Sequence, residues 1–281
     1  LQEAEQSLNK TIELKPDFFE AYSSLGGVLG ELGKLKEAEQ PLRKSIELNP
    51  NLFNSHFLLA KILIDQRKLQ EAEQSLNKTI ELKPDFADGY LTLGSIKKKF
   101  GKLKEAEIST RKAIELKPDL AVAHSNLGNI LIDLGNFEEA ELSLRKAIEL
   151  RPEDDVTLVN LAYTLCNQQK YKLALKYLYK NESSTCQSIY LGCLLSLDRE
   201  KEFNEEYKEI SKQNFCNADI GGVIEHANVI YGGKYNSPFC NKAIKYVFTD
   251  KINEELFSTN HLQELIAFSK TSQIANRSQG L

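Results

Sequence analysis

The chain has 281 residues, 41% hydrophobic and 27% charged, a balance that fits a folded chain and excludes an intrinsically disordered one. Its formal net charge of −4 does not suggest a phosphate-backbone binder, which usually carries a basic face, so nucleic acid is not an expected partner. No apolar run reaches the length of a membrane-spanning helix and no leader pattern opens the chain, so no membrane partner is expected either.

Proline punctuates the chain. Pro16, Pro50, Pro84, Pro118 and Pro152 recur every 34 residues without insertion or deletion. A strict period of this length means a stack of helical hairpins, each too small to bury its own core. Residues 1–16, LQEAEQSLNKTIELKP, form only the second half of a unit and repeat residues 69–84 one for one. Their stripe of Ala4, Leu8, Thr11 and Ile12 has no first helix of its own to cover it. Further repeats or a cap are therefore expected before residue 1, and self-association through this open repeat is a candidate interaction. The chain also lacks methionine and opens on Leu1 in mid-repeat, so it reads as a segment of something longer.

Complete units follow at 19–52, 53–86, 87–120 and 121–154. Each predicts a first helix up to a mid-unit turn, then an amphipathic second helix, such as Glu37–Leu48 or Glu105–Leu116, ending before the next proline. Asp17, Asn51, Asp85 and Asp119 stand where they are expected to cap the first helices. Gly33, Gly101 and Gly135 mark the turn, while Arg67 and Gln169 replace glycine at a cost of up to about 1 kcal/mol if the left-handed geometry is kept. Gly26, Ala60, Gly94, Gly128 and Ala162 share one position of the first helix, and Ala38, Ala72, Ala106, Ala140 and Ala174 share one of the second. Small side chains there let the helices approach, and the leucines at 25, 59, 93, 127 and 161 fill the seam.

The run Tyr22, Leu25–Gly26, Leu29, Ala38, Leu42 and Pro50, repeated over residues 1–181, resembles the tetratricopeptide repeat. His56 and His124 stand where Tyr22 and Tyr90 stand, and Thr110 replaces the large residue of the second helix. The resemblance implies an all-α fold, a right-handed superhelical solenoid of helix-turn-helix repeats. The unit from Asp155 keeps Leu158, Leu161, Ala162, Leu165, Ala174 and Leu178, but puts Asn181 and Cys186 where an alanine and the proline belong. Residues 182–216 read as a degenerate closing hairpin broken at Asp198–Arg199. Residues 217–281 leave the repeat and read as the start of another domain, with an amphipathic helix over 252–270. Their wording, YNSPFCNKAIKYVFTDKI and ANRSQGL, resembles the lead-in to a 2-oxoglutarate- and iron-dependent oxygenase domain in bacterial repeat proteins. Such enzymes hold iron with two histidines and a carboxylate, but neither His226 nor His261 begins an H-x-D/E pair. No catalytic residue, metal or cofactor is expected within these residues.

The five cysteines, 166, 186, 193, 216 and 240, form no C-x-x-C pair and predict reduced thiols in a cytosolic setting. The resemblance implies that first helices line a concave face with rows of ligand-facing positions. One row reads Ser24, Leu58, Thr92, Asn126, Asn160, and the next Gly27, Lys61, Ser95, Asn129, Tyr163. Asn126, Asn129 and Asn160 either grip an extended peptide by its backbone, since an amide donates and accepts, or are solvated groove residues. The row that carries clamp lysines in carboxylate-binding members reads Ser23, Phe57, Leu91, Ser125, Val159, which argues against capture of a peptide C-terminus. Phe57, Leu58 and Leu91 offer an apolar strip, and Lys97–Lys99 with Lys61 offer a basic spot for an acidic peptide or a solvated face. His56 and His124 read as half-buried packing residues, and the many glutamates as helical surface positions. The function expected is a protein-interaction scaffold that binds a peptide or protein partner. The alternative is the recognition or assembly arm of a longer oxygenase.

Overall fold

Each of the five periodic prolines follows the end of one helix and sets up the next in the computed structural model, which describes residues 1–179, 181–212, 218–232 and 235. The described residues fall into two compact units, split at 179/180. In the first, the opening half-repeat is α1 (Gln2–Leu14). Hairpins follow as α2 (Phe19–Glu31) with α3 (Leu35–Leu48), α4 (Phe53–Asp65) with α5 (Leu69–Leu82), and α6 (Ala87–Lys99) with α7 (Leu103–Leu116). Then come α8 (Ala121–Asp133) with α9 (Phe137–Leu150), and α10 (Asp155–Asn167) with a short α11 (Tyr171–Leu178). Every second helix also packs on the first helix of the next unit, α3 on α4, α5 on α6, α7 on α8 and α9 on α10. This is an all-α solenoid.

The seam between paired helices is as close as the small residues imply. A Cβ placed on Gly26 would sit 2.3 Å from Leu42 Cγ, and one on Gly128 would sit 2.5 Å from Leu144 Cγ. Leu42, Leu76 and Leu144 are wholly buried there. Thr110 fills the same slot against Gly94 and satisfies its hydroxyl on the Ala106 carbonyl at 2.8 Å.

The mid-unit turns share one design. The amide of Gly33 donates to Gly30 O and that of Lys34 to Leu29 O, the paired bonds that close a helix through a left-handed residue. Arg67 (φ 61°) and Gln169 (φ 59°) keep this geometry without glycine. In both of these turns the preceding residue is a glutamine reaching into the previous unit. Gln66 Nε2 donates to Leu35 O at 3.0 Å and Gln168 Nε2 to Phe137 O at 2.9 Å. Those bonds offset part of the strain.

Capping differs from the sequence expectation. The N-cap residues of α2, α4, α6 and α8 are Phe18, Leu52, Phe86 and Leu120, and none makes a side-chain cap bond. Asp17, Asn51, Asp85 and Asp119 lie one residue earlier, inside a tight turn closed by the Phe18, Leu52, Phe86 and Leu120 amides on the carbonyls three residues back. Proline and the acidic or amide residue are thus the two central turn positions, one step too early to reach the helix amides. A hydrophobic N-cap is then free to pack, and Phe86 meets the rings of Phe53 and Phe57 edge-on at 5.4 and 4.8 Å.

Ion pairs hold successive units in register. Glu5 binds Lys34 at 2.9 Å, Glu39 binds Lys68 at 2.9 Å, Glu73 binds Lys97 at 2.6 Å and Glu141 binds Lys170 at 2.7 Å. Arg43 and Arg111 add bonds to Glu71 and Glu139 of the following unit, at 2.7 and 2.6 Å. The glutamates are therefore ties between repeats, not merely solvated positions. Glu141 is the most enclosed, with 6% of its side chain exposed. Burial opposes its charge, but hydrogen bonds from Lys170 and Gln168 and the nearby Arg145 outweigh that and hold its carboxyl below the usual range. A lowered carboxylate contributes stability above its ordinary titration range and loses it as pH falls through the lowered value. Glu141→Gln is expected to cost about 1 kcal/mol at neutral pH, since its partners are half exposed, and to converge on the native chain in acid. Urea unfolding at both pH values checks this.

The second unit contains α12 (Ser184–Ser196), α13 (Glu200–Lys212) and α14 (Ala218–Tyr231) among its described residues. The break between α12 and α13 reuses the repeat's turn, with Asp198 left-handed at φ 53° and Arg199 N bonded to Leu194 O at 3.0 Å. Gly221 and Gly222, which the sequence reading places in non-repeat wording, lie inside α14. Phe203 is buried against the rings of Tyr231 and Tyr235. The helix expected over 252–270, His261 and Cys240 lie outside the described residues. Cys166, Cys186 and Cys193 remain thiols. No helix among the described residues is long and apolar enough to cross a membrane.

Candidate functional site on the first helices

Helical periodicity puts residues i, i+4, i+7 and i+11 on one stripe. On α8 that stripe is Val122, Asn126, Asn129 and Asp133, and on α10 it is Val156, Asn160, Tyr163 and Asn167. The two helices touch, as do α6 with α8 and α2 with α4, so the stripes lie side by side. Asn126 is half-buried and donates from Nδ2 to Ser95 Oγ of α6 at 3.2 Å, joining members of two predicted rows. Asn129 and Asn160 are half-buried, and their amides take no partner among the described residues. Tyr163 is 51% exposed beside them.

Not every expected groove residue lies there. Ser125 is buried, with its hydroxyl 2.7 Å from that of Thr157, which in turn donates to Asp154 at 2.6 Å. It is a tie between units. Phe57 is spent on the ring contact with Phe86, and Leu58 lies against α2, where a Cβ on Gly27 would meet its Cδ1 at 3.5 Å. The apolar strip expected from them is packing between helices, with Leu91 half-buried alongside in the sequence row. The basic spot is likewise taken up. Lys97 is clasped by Glu73 and Glu105, at 2.6 and 2.5 Å, and Lys98 pairs with Asp133 at 3.1 Å. Hydrogen bonds to Glu105 and then Glu73 hold the Lys97 ammonium above its ordinary value. Lys61 and Lys99 remain exposed without an ion pair among the described residues.

Two residues escaped the sequence reading. Val122 and Val156 are 38% and 66% exposed, four residues before Asn126 and Asn160. Their signal was present, because the same position holds Glu20, Asn54 and Asp88 in earlier units.

Comparison with known proteins bears on this architecture. Residues 121–154 and 87–120 each match a tetratricopeptide repeat family model, and these windows coincide with the units read from the proline spacing. Residues 1–79 match the family model for subunit 3 of the anaphase-promoting complex, or cyclosome. The chain is a tetratricopeptide repeat protein. Among solved structures, PilF of Pseudomonas aeruginosa superposes on this repeat protein with a TM-score of 0.62 at 16% identity, covering 74% of this chain and 97% of that one. YrrB, described as a tetratricopeptide repeat protein with an unusual peptide-binding site, gives 0.55 at 20% identity, covering 69% and 97%. MamA from Desulfovibrio magneticus RS-1 gives 0.54 at 19% identity, covering 58% and 92%. At these identities the likeness establishes the fold alone. No curated protein sequence matches significantly.

The histidines of this tetratricopeptide array have structural roles. His56 Nε2 lies 2.9 Å from Pro50 O and His124 Nε2 lies 2.8 Å from Pro118 O, so each imidazole bridges back to its own unit's leading turn. Among the described residues no group of three His, Cys, Asp or Glu is arranged to hold a metal ion. The oxygenase reading rests on tail wording that, apart from Tyr235, lies outside the described residues.

Proposed function

We propose that this protein is an interaction scaffold that holds an extended peptide segment of a protein partner across α8 and α10. The observation that carries this reading is the pair of adjoining stripes, Val122–Asn126–Asn129 and Val156–Asn160–Tyr163. The α8 stripe offers an exposed valine followed by two amides able to donate and accept, and the α10 stripe an exposed valine followed by one such amide and an exposed phenol. Asn129 and Asn160 spend no side-chain hydrogen bond within the described protein, so a peptide backbone gains partners there without breaking any. Exposed valines four residues away give side chains of the same peptide an apolar seat. The peptide-binding description of YrrB supports this use of the fold. Thiols at Cys166, Cys186 and Cys193 suit a reducing compartment.

The test is the double variant Asn126→Ala/Asn160→Ala in the full chain. It is expected to lose capture of peptides selected by the native protein while keeping native helicity. Undiminished capture by the double variant would remove the reading.

A further inference from the structure

The five first helices present four-residue stripes whose chemistry changes along the stack. The α2 stripe is Glu20, Ser24, Gly27 and Glu31, the α4 stripe is Asn54, Leu58, Lys61 and Asp65, and the α6 stripe is Asp88, Thr92, Ser95 and Lys99. Glu20, Glu31, Asp65 and Asp88 are exposed, and no ion pair engages them among the described residues. Only Lys61 and Lys99 face them as unpaired cations on these stripes. The ammonium groups that would balance the surplus, Lys97 and Lys98, are tied to Glu73, Glu105 and Asp133. From α8 onward the character reverses. Val122 and Val156 replace the carboxylates of Glu20 and Asp88, and Asn167 replaces those of Glu31 and Asp65. Asp133, the remaining acid on the last two stripes, is neutralised by Lys98 at 3.1 Å.

We infer that the partner segment is bipolar, with apolar side chains seated over α8 and α10 and basic side chains over α2, α4 and α6. This rests on the proposed use of the first-helix face and adds the partner's chemistry and its direction along the stack. Charge complementarity selects the basic end, because an acidic segment would meet carboxylates that no ion pair engages among the described residues and a neutral one would leave them unmatched. Gly27 and Gly30 strengthen the assignment. Cβ atoms at these positions would lie 3.5 Å from Leu58 and 2.7 Å from Ile62, so α2 is drawn tight against α4 and offers no apolar seat of its own along that line. Charge is what this end has left to recognise with.

The length follows from geometry. Five helices spaced about 10 Å apart span roughly 40 Å, which about twelve extended residues cover. The test uses three synthetic peptides of that length sharing one leucine- and isoleucine-rich end, with arginine, glutamine or glutamate at the other. Binding to the full chain is read by fluorescence anisotropy. The arginine peptide is expected to bind about tenfold tighter than the glutamate peptide at low salt, a gap that closes at about 1 M salt where the screening length is about 3 Å. Asp65→Lys/Asp88→Lys is expected to abolish the preference with helicity unchanged. Equal binding of the three peptides, or a preference that survives charge reversal, overturns the inference. If Asn126→Ala/Asn160→Ala still weakens binding in that case, the groove reading stands and only the bipolar partner falls. If the asparagine variant also binds all three like the native chain, both fall.

Discussion

Leu144→Ala lowers the unfolding free energy by about 3 to 4 kcal/mol. Leu144 is fully buried in α9, and its branched end occupies the gap that Gly128 leaves in α8, where an added Cβ would come within 2.5 Å of Leu144 Cγ. Alanine removes those contacts, and the glycine opposite has no side chain with which to fill the void. Collapse of the seam is further opposed because α9 also packs on α10, so moving it inward would break the contact between units. Because a solenoid is stabilised by each unit and its two neighbours, the loss reaches both boundaries of residues 121–154. Urea unfolding followed by far-UV circular dichroism measures it. A change under about 1 kcal/mol would mean that the hairpin closes around the cavity, against the packing described.

The second large effect is a gain. Pro41 lies in the interior of α3, which runs from Leu35 to Leu48. The equivalent residue in α5, α7 and α9 is Ser75, Ser109 or Ser143. Proline has no amide to donate to the carbonyl of Glu37, and its ring crowds that carbonyl. Flanking packing keeps α3 helical across this defect, with Ala38, Leu42 and Ser45 buried on either side and Ser45 Oγ bonded to Phe19 O and paired with Ser55, both at 2.8 Å. Pro41→Ser restores the backbone bond and is expected to stabilise the chain by about 2 kcal/mol, the difference in helix cost less the loss of a half-buried ring. An unchanged or lower urea midpoint would show that the ring's packing outweighs the missing bond.

Helix ends were legible because proline, glycine and small residues recur at a fixed period, and a period constrains every unit at once; the second helices start two residues before the expected Glu37 and Glu105, at Leu35 and Leu103. The turns at Arg67 and Gln169 could be placed for the same reason, since their neighbours dictate the left-handed geometry that their own identities do not advertise. Caps were misread by one residue. Asp17 and its equivalents follow a proline, and that pair fills the centre of the turn, so the helix starts one residue later. The ties between units were not legible at all. Glu39–Lys68 and Glu141–Lys170 join residues 29 apart, and Glu73 takes Lys97 where the pattern offers Lys102. Such partners are chosen by three-dimensional register, and a surface glutamate carries no local mark of which lysine it will meet. Ser125 shows the same limit, since its position implies a groove residue but Thr157 in the next unit takes its hydroxyl. Val122 and Val156 show the converse. Apolar residues in a column that is polar in the earlier units are a signal in the sequence, and the contact between α8 and α10 joins the two into one face.

The measurement that bears most directly on the first-helix face is a peptide titration of the native chain beside Asn126→Ala/Asn160→Ala, with unfolding of both followed in parallel. Two amide contacts worth about 1 kcal/mol each correspond to a loss of more than tenfold in affinity, with an unfolding midpoint that stays near the native one. Equal affinities in the two proteins would contradict the assignment and move the binding surface away from α8 and α10.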